Sequence, residues 1–125
     1  MKLYCFGESG HSYKAALALQ LADIDWTPIF VDFFNGETRS DQYRNQVNEM
    51  GEAPVLVDGD IKLTQSGVIQ NYLFNKTGKH GGRNEAEKLE ILRWILWDNH
   101  KLSSFAGNTR SVSYTHLTLP TTSCV

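Results

Sequence analysis

The chain has 125 residues, 41% of them apolar and 21% charged, with a formal net charge of −2. That describes a globular chain and leaves nucleic acid or an anionic membrane without an electrostatic footprint. No apolar run approaches the length of a membrane span, and the N-terminal one is too short for a signal peptide. Cys5 and Cys124 give neither a disulfide framework nor a CxxC pair, so a cytoplasmic location is expected.

The elements follow in chain order. Lys2–Phe6 reads as a short strand and Gly7-Glu8-Ser9-Gly10 as a turn. Ser12–Ala22 is rich in Ala and Leu and free of breakers, so a helix is expected, apolar nearly all round. Trp26–Phe34 is β-branched and aromatic and reads as a strand with Pro28 near its start. Thr38-Arg39-Ser40-Asp41 reads as a capping box opening a polar helix to about Val47. Pro54–Val57, Asp58-Gly59-Asp60 and Ile61–Leu63 form a hairpin signal.

Gln65-Ser66-Gly67 leads into a helix with Val68, Ile69, Tyr72 and Leu73 on one face. Lys79–Gly82 reads as a linker. Asn84 and Glu87 cap a further helix through Leu89, Leu92 and Trp94–Trp97, which runs to a break at Ser103-Ser104 or just beyond. The order β-α-β-α-β-β-α predicts an α/β domain: a parallel first pair, then a hairpin, in a mixed four-stranded sheet.

Composition changes at the end. Val112–Val125 contains no Asp, Glu, Lys or Arg. One reading is an uncharged, Thr-rich, disordered terminus. A sharper one is that Val112–Thr121 back-translates, in frame, to a string resembling the mosaic end and read adapter of a transposon-based sequencing library. The expectation is that the natural sequence stops near Arg110 or Ser111 and that 111–125 is translated adapter, which removes Cys124 from consideration.

Three segments carry a resemblance: Met1–Tyr4 with Ser9–Leu17, Asn48–Leu56 (NEMGEAPVL), and Leu63–Ile69 (LTQSGVI). In this order and at these separations they resemble the thioredoxin-like N-terminal domain of glutathione S-transferases, bacterial type. The resemblance implies a βαβαββα domain over 1–82, the start of an all-helical second domain over 83–110, and glutathione as co-substrate with no metal. It also implies an unidentified electrophilic small molecule as second substrate, a role in detoxification, and a homodimeric full-length parent.

Candidate site residues follow. Ser66 stands where a helix begins, and its hydroxyl, its N–H and the positive helix end suit a carboxylate; the plain alternative is a helix cap. By resemblance the carboxylate is that of the γ-glutamyl end, with Gln65 beside it. Pro54 opens a strand, and only about 5–6% of X-Pro bonds are cis. The resemblance implies the reverse here, a cis Ala53–Pro54 bond turning the Ala53 backbone toward the ligand as an added strand would be. Ser9, before the first helix, can hydrogen-bond a thiolate. Lowering a thiol pKa by about two units takes roughly 2.7 kcal/mol, and one hydrogen bond to a charged group contributes about 1.5–3 kcal/mol.

Ser12 is the rival to Ser9; alignment through Tyr13–Leu17 places Ser9 where the family's beta class has its cysteine. His11 is expected exposed in the turn, within reach of the glycyl carboxylate. Glu52 falls where many members have Lys, which loses one cationic contact. Tyr4 is expected to point away, Cys5 to be a small buried hydrophobe, and Asp98 to reach a partner subunit's ligand. Trp94 and Trp97 are expected in core or interface. The alternative function is a non-catalytic glutathione-binding or protein-interaction module; a glutaredoxin-like reductase would need a cysteine where Ser9 and Ser12 stand. Lacking most of the second domain, the fragment is expected to expose apolar surface and to turn over little substrate.

Overall fold

The computed structural model describes residues 1–107 and 109; the expectations for 111–125 lie outside them. Four strands, β1 (Lys2–Cys5), β2 (Thr27–Phe30), β3 (Val55–Asp58) and β4 (Ile61–Thr64), form one sheet in the order β2-β1-β3-β4. β1 and β2 are parallel, joined by α1 (Gly10–Leu21), while β1–β3 and β3–β4 are antiparallel. β2 ends at Phe30, short of the expected Phe34. Phe33–Asn35 forms a 3₁₀ turn instead, closed by Gly36 at φ +83°, where a glycine meets no Cβ strain. Phe33 stacks on Phe6 at 4.6 Å, and Phe34 meets both rings edge-on.

The polar helix is shorter than the sequence suggests. α2 spans Asp41–Gln46, and its cap is Ser40, whose Oγ accepts from the Tyr43 N–H. Thr38 is buried within a preceding 3₁₀ turn, Glu37–Arg39. The hairpin loop is Gly59-Asp60, with Asp58 still paired to Ile61.

Leu3 and Leu56 pair across β1 and β3. On their face pack Ala15, Ala18 and Leu19 of α1 with Ile69 and Leu73 of α3 (Ser66–Thr77). Fully burying a Leu or Ile side chain contributes about 1.5–3 kcal/mol, so this apolar set sets how α1 and α3 lie on the sheet. Of the expected face of α3, Val68 is exposed and Tyr72 instead donates to Asp58, which Lys76 also bridges. On the other sheet face Tyr4 meets Tyr43 of α2 edge-on at 6.4 Å.

α4 (Glu85–Trp97) is capped as expected, Asn84 Oδ1 accepting from the Glu87 N–H. No break follows at Ser103-Ser104. A π-helical turn, Asp98–Leu102, carries the chain into further helix over 103–107. α4 packs on α3 at Gly67, where a Cβ would lie 2.8 Å from Ile95 Cγ2. Much of its apolar surface is uncovered: Leu89, Leu92, Trp94, Leu96 and Trp97 are all exposed. Among the described residues no helix is long and apolar enough to cross a membrane.

Two predictions follow from this packing. In an open helix Gly→Ala gains about 1 kcal/mol. At Gly67 the methyl meets a β-branched side chain that is stiff at χ1, and overpacking costs about 1–3 kcal/mol. Gly67→Ala therefore lowers the thermal midpoint; a rise would contradict the α3–α4 contact. The uncovered face of α4 should bind a hydrophobic dye, and a dye-silent chain would show that face to be covered.

Candidate functional site

The first turns of α1 and α3 meet at the edge of the sheet. Neither first turn carries an acidic residue of its own, so two positive helix ends face the same space. His11, in the first turn of α1, is half-buried there. Its Nδ1 lies 3.2 Å from Ser66 Oγ in a shared hydrogen bond. The expected exposed position in the turn is thus corrected: the helix starts at Gly10, which takes His11 inward.

Ser66 is 3% exposed and is the first helical residue of α3. It is therefore not the cap. That position belongs to Gln65, which makes no side-chain capping bond and takes φ +75°, ψ 119°. A non-glycine residue held at positive φ costs about 1–3 kcal/mol and marks a place where the surroundings fix the backbone.

The third wall is the segment before β3. The Ala53–Pro54 bond is cis. The Glu52 carbonyl just ahead of it accepts two hydrogen bonds, from Tyr43 Oη at 2.8 Å and Asn48 Nδ2 at 3.0 Å. Asn48 also accepts from the Met50 N–H, so one buried amide holds the loop at both ends. Burial pushes the Tyr43 phenol up to about 12, which keeps it a donor at any ordinary pH. The Glu52 side chain itself is exposed.

These walls enclose a cleft of ≈ 320 Å³ lined by His11, Asn48, Glu52, Ala53, Pro54, Gln65 and Ser66. Its remaining wall comes from beyond α4: Asn99, Ser103, Ser104 and Gly107. Sequence reasoning missed these four, and missed the part played by Asn48 and Tyr43. Asn48 carried a signal as the first residue of the motif ending at Leu56; the others carried none.

Ser9 and Ser12 are not among the residues lining this cleft. Ser9 caps α1, its Oγ accepting from the Ser12 N–H at 3.0 Å; a hydroxyl that accepts this bond can still donate its own proton. Ser12 is 3% exposed and faces inward, its Oγ 3.4 Å from the Phe6 N–H. Cys5 lies half-buried in β1, where burial pushes its thiol pKa up. Asp98 is committed within the chain: Lys14 Nζ reaches it at 2.6 Å, and Ser103 Oγ donates to it and accepts from Lys14. This network ties α1 to the π-helical turn and sets the far wall of the cleft.

Comparison with known proteins agrees with this architecture. A sequence profile of the family described as "Glutathione S-transferase, N-terminal domain" matches residues 1–75. Glutathione S-transferase F14 of Arabidopsis thaliana is 37% identical over 111 residues, covering 86% of this chain and 43% of that protein. The chain thus spans less than half the length of that relative. A solved structure of a possible glutathione S-transferase from Rhodopseudomonas palustris superposes with a TM-score of 0.78 at 30% identity, covering 86% of this chain and 55% of that one. Ure2p, solved in complex with glutathione, shares the fold with a TM-score of 0.71 at 24% identity, covering 78% of this chain and 45% of that one. With the profile matching more than half of its residues, the chain belongs to the glutathione S-transferase family.

Proposed function

We propose that the cleft binds glutathione and that the complete protein is a glutathione transferase. The observation that carries this reading is the meeting of two helix starts, neither with an acid in its first turn, at the His11–Ser66 pair. Glutathione offers a carboxylate at each end, and a buried serine beside a helix start suits one of them. We assign the γ-glutamyl carboxylate to Ser66 with Gln65, and the peptide backbone of glutathione to Ala53, which a strand-like ligand would pair with. Glu52 borders the site and brings no cation. No metal enters the proposal.

Ser9 is the proposed thiol activator. It sits at the start of α1, and its hydroxyl proton can be given to a thiolate. One such bond and the helix end together supply about 2–4 kcal/mol, enough for a shift of about two pKa units at roughly 1.4 kcal/mol each. Ser12 is the weaker alternative because it is buried and turned toward the Phe6 N–H. In the reaction a thiolate lone pair forms the new S–C bond and the electrophile takes up the displaced electron pair. The aromatic group of Phe6, Phe33 and Phe34 adjoins Ser9, whose N–H donates to the Phe6 carbonyl. It offers an apolar wall to such an electrophile.

One observation favours a second reading, a module that holds glutathione without activating it: neither Ser9 nor Ser12 lines the cleft. For the complete protein we place the domain boundary at 82, with 83–110 opening an all-helical second domain. We propose a cytoplasmic homodimer acting in detoxification, and take 111–125 as translated adapter.

Calorimetric titration of this chain with glutathione should show binding that Ser66→Ala weakens by about 10- to 100-fold, the size of one hydrogen bond to a charged group. Equal binding by that variant would remove Ser66 from the site. For Ser9 the informative variant is Ser9→Gly, because glycine at a cap costs only a few tenths of a kcal/mol. Followed by thiolate absorbance, the bound thiol should titrate about one to two units higher in Ser9→Gly than in the unaltered chain. Identical titrations would leave Ser9 a helix cap and favour the non-catalytic module.

A further inference from the structure

The hydrogen bond between His11 Nδ1 and Ser66 Oγ can run in either direction, and the two directions do opposite things to a carboxylate. A serine hydroxyl has one proton. If Nδ1 is the acceptor, that proton goes to the imidazole, and the serine presents only lone pairs to the cleft. If Nδ1–H is the donor, the serine oxygen is held by the imidazole and its own proton is left for the ligand. The arrangement therefore contains a selector for the hydroxyl of Ser66, placed on a different helix 55 residues away in sequence.

We propose that His11 is a positioning residue for the carboxylate held at Ser66. Its Nδ1–H fixes the serine oxygen so that the serine proton points at the carboxylate, and binding of that anion draws a proton from solvent onto the imidazole. The inference rests on the assignment of a glutathione carboxylate to Ser66 and extends it to a group that does not itself need to touch the ligand.

The charges around His11 make this a response and not a fixed state. Lys14 acts on it from α1, Asp98 from the π-helical turn and Glu52 from the loop before β3. Burial and the Lys14 ammonium hold the imidazole below its ordinary pKa, outweighing the pull of the two carboxylates. Without ligand the ring is therefore neutral near pH 7. A carboxylate at Ser66 adds a third negative group and raises the pKa. Between the free and bound values the imidazole takes up a proton on binding, so its own contribution to affinity rises as pH falls through that window, opposite in sign to that of a bound thiolate.

The test is calorimetric titration of the chain with S-methylglutathione, which keeps both carboxylates and has no thiol to ionise, in buffers of different ionisation enthalpy across about pH 5.5–7.5, where imidazole alone among unperturbed side chains changes charge. The expected result is uptake of a fraction of a proton per S-methylglutathione bound, growing toward the acid side of neutrality. His11→Asn keeps an N–H donor near the Nδ1 position and cannot titrate; it should bind within about threefold of the unaltered chain with no His-dependent proton uptake. His11→Leu supplies neither donor nor proton and should bind about 3- to 10-fold more weakly, the size of one ordinary hydrogen bond. Proton uptake that persists in both variants would overturn the proposal, as would unchanged affinity in His11→Leu. Failure of the unaltered chain to bind glutathione, or full binding by Ser66→Ala, would instead overturn the underlying assignment of the carboxylate to Ser66.

Discussion

Two helices on one face of the sheet start at the same place. Ala15, Ala18 and Leu19 of α1 pack with Ile69 and Leu73 of α3 over Leu3 and Leu56, and this apolar contact fixes how the helices lie. The polar consequence appears one turn earlier in each. There His11 and Ser66 come within hydrogen-bond distance, and both first turns lack an acidic residue that would compensate the positive helix end. Core packing thus brings two helix starts together at the cleft, and with them the site to which a carboxylate is assigned above.

The other walls are held by hydrogen bonds. Tyr43 and Asn48 converge on the Glu52 carbonyl, which fixes the segment leading into Ala53 and Pro54. The far wall belongs to the π-helical turn and the helix that follows it, attached through Lys14, Asp98 and Ser103 and through the close approach of Ile95 to Gly67. The half-buried Lys14–Asp98 pair, with side chains 19% and 27% exposed, serves position more than stability, because desolvation offsets much of what such a pair gains. Its position matters because Ser103, which binds both partners, also lines the cleft.

What could be read in the sequence was local or periodic. β1, α1, the hairpin and the Asn84 cap follow from composition, alternation and turn residues, and each came within a residue or two. The first capping box falls two residues early because Thr38, with Asp41 three residues on, fits the pattern, whereas the actual cap, Ser40, is followed at that spacing by Tyr43; Thr38 is buried in the turn before the helix. β2 was read too long because Phe33 and Phe34 have strand character, while Gly36 at positive φ turns the chain. The π-helical turn left no local signal: its Asp98 is held by Lys14, 84 residues away. For the same reason Ser66 and His11 were legible separately as candidates, yet their pairing was not. Nor could sequence show that Ser66 lies inside the helix with Gln65 strained ahead of it, since that geometry is set by neighbours.

The most direct measurement is a map of backbone amide shifts on titrating the chain with glutathione. The largest shifts should fall at His11, Glu52, Ala53, Gln65 and Ser66, with the hairpin loop at Gly59 and Asp60 unmoved. Shifts confined to the exposed face of α4, or no shifts even at millimolar glutathione, would contradict it.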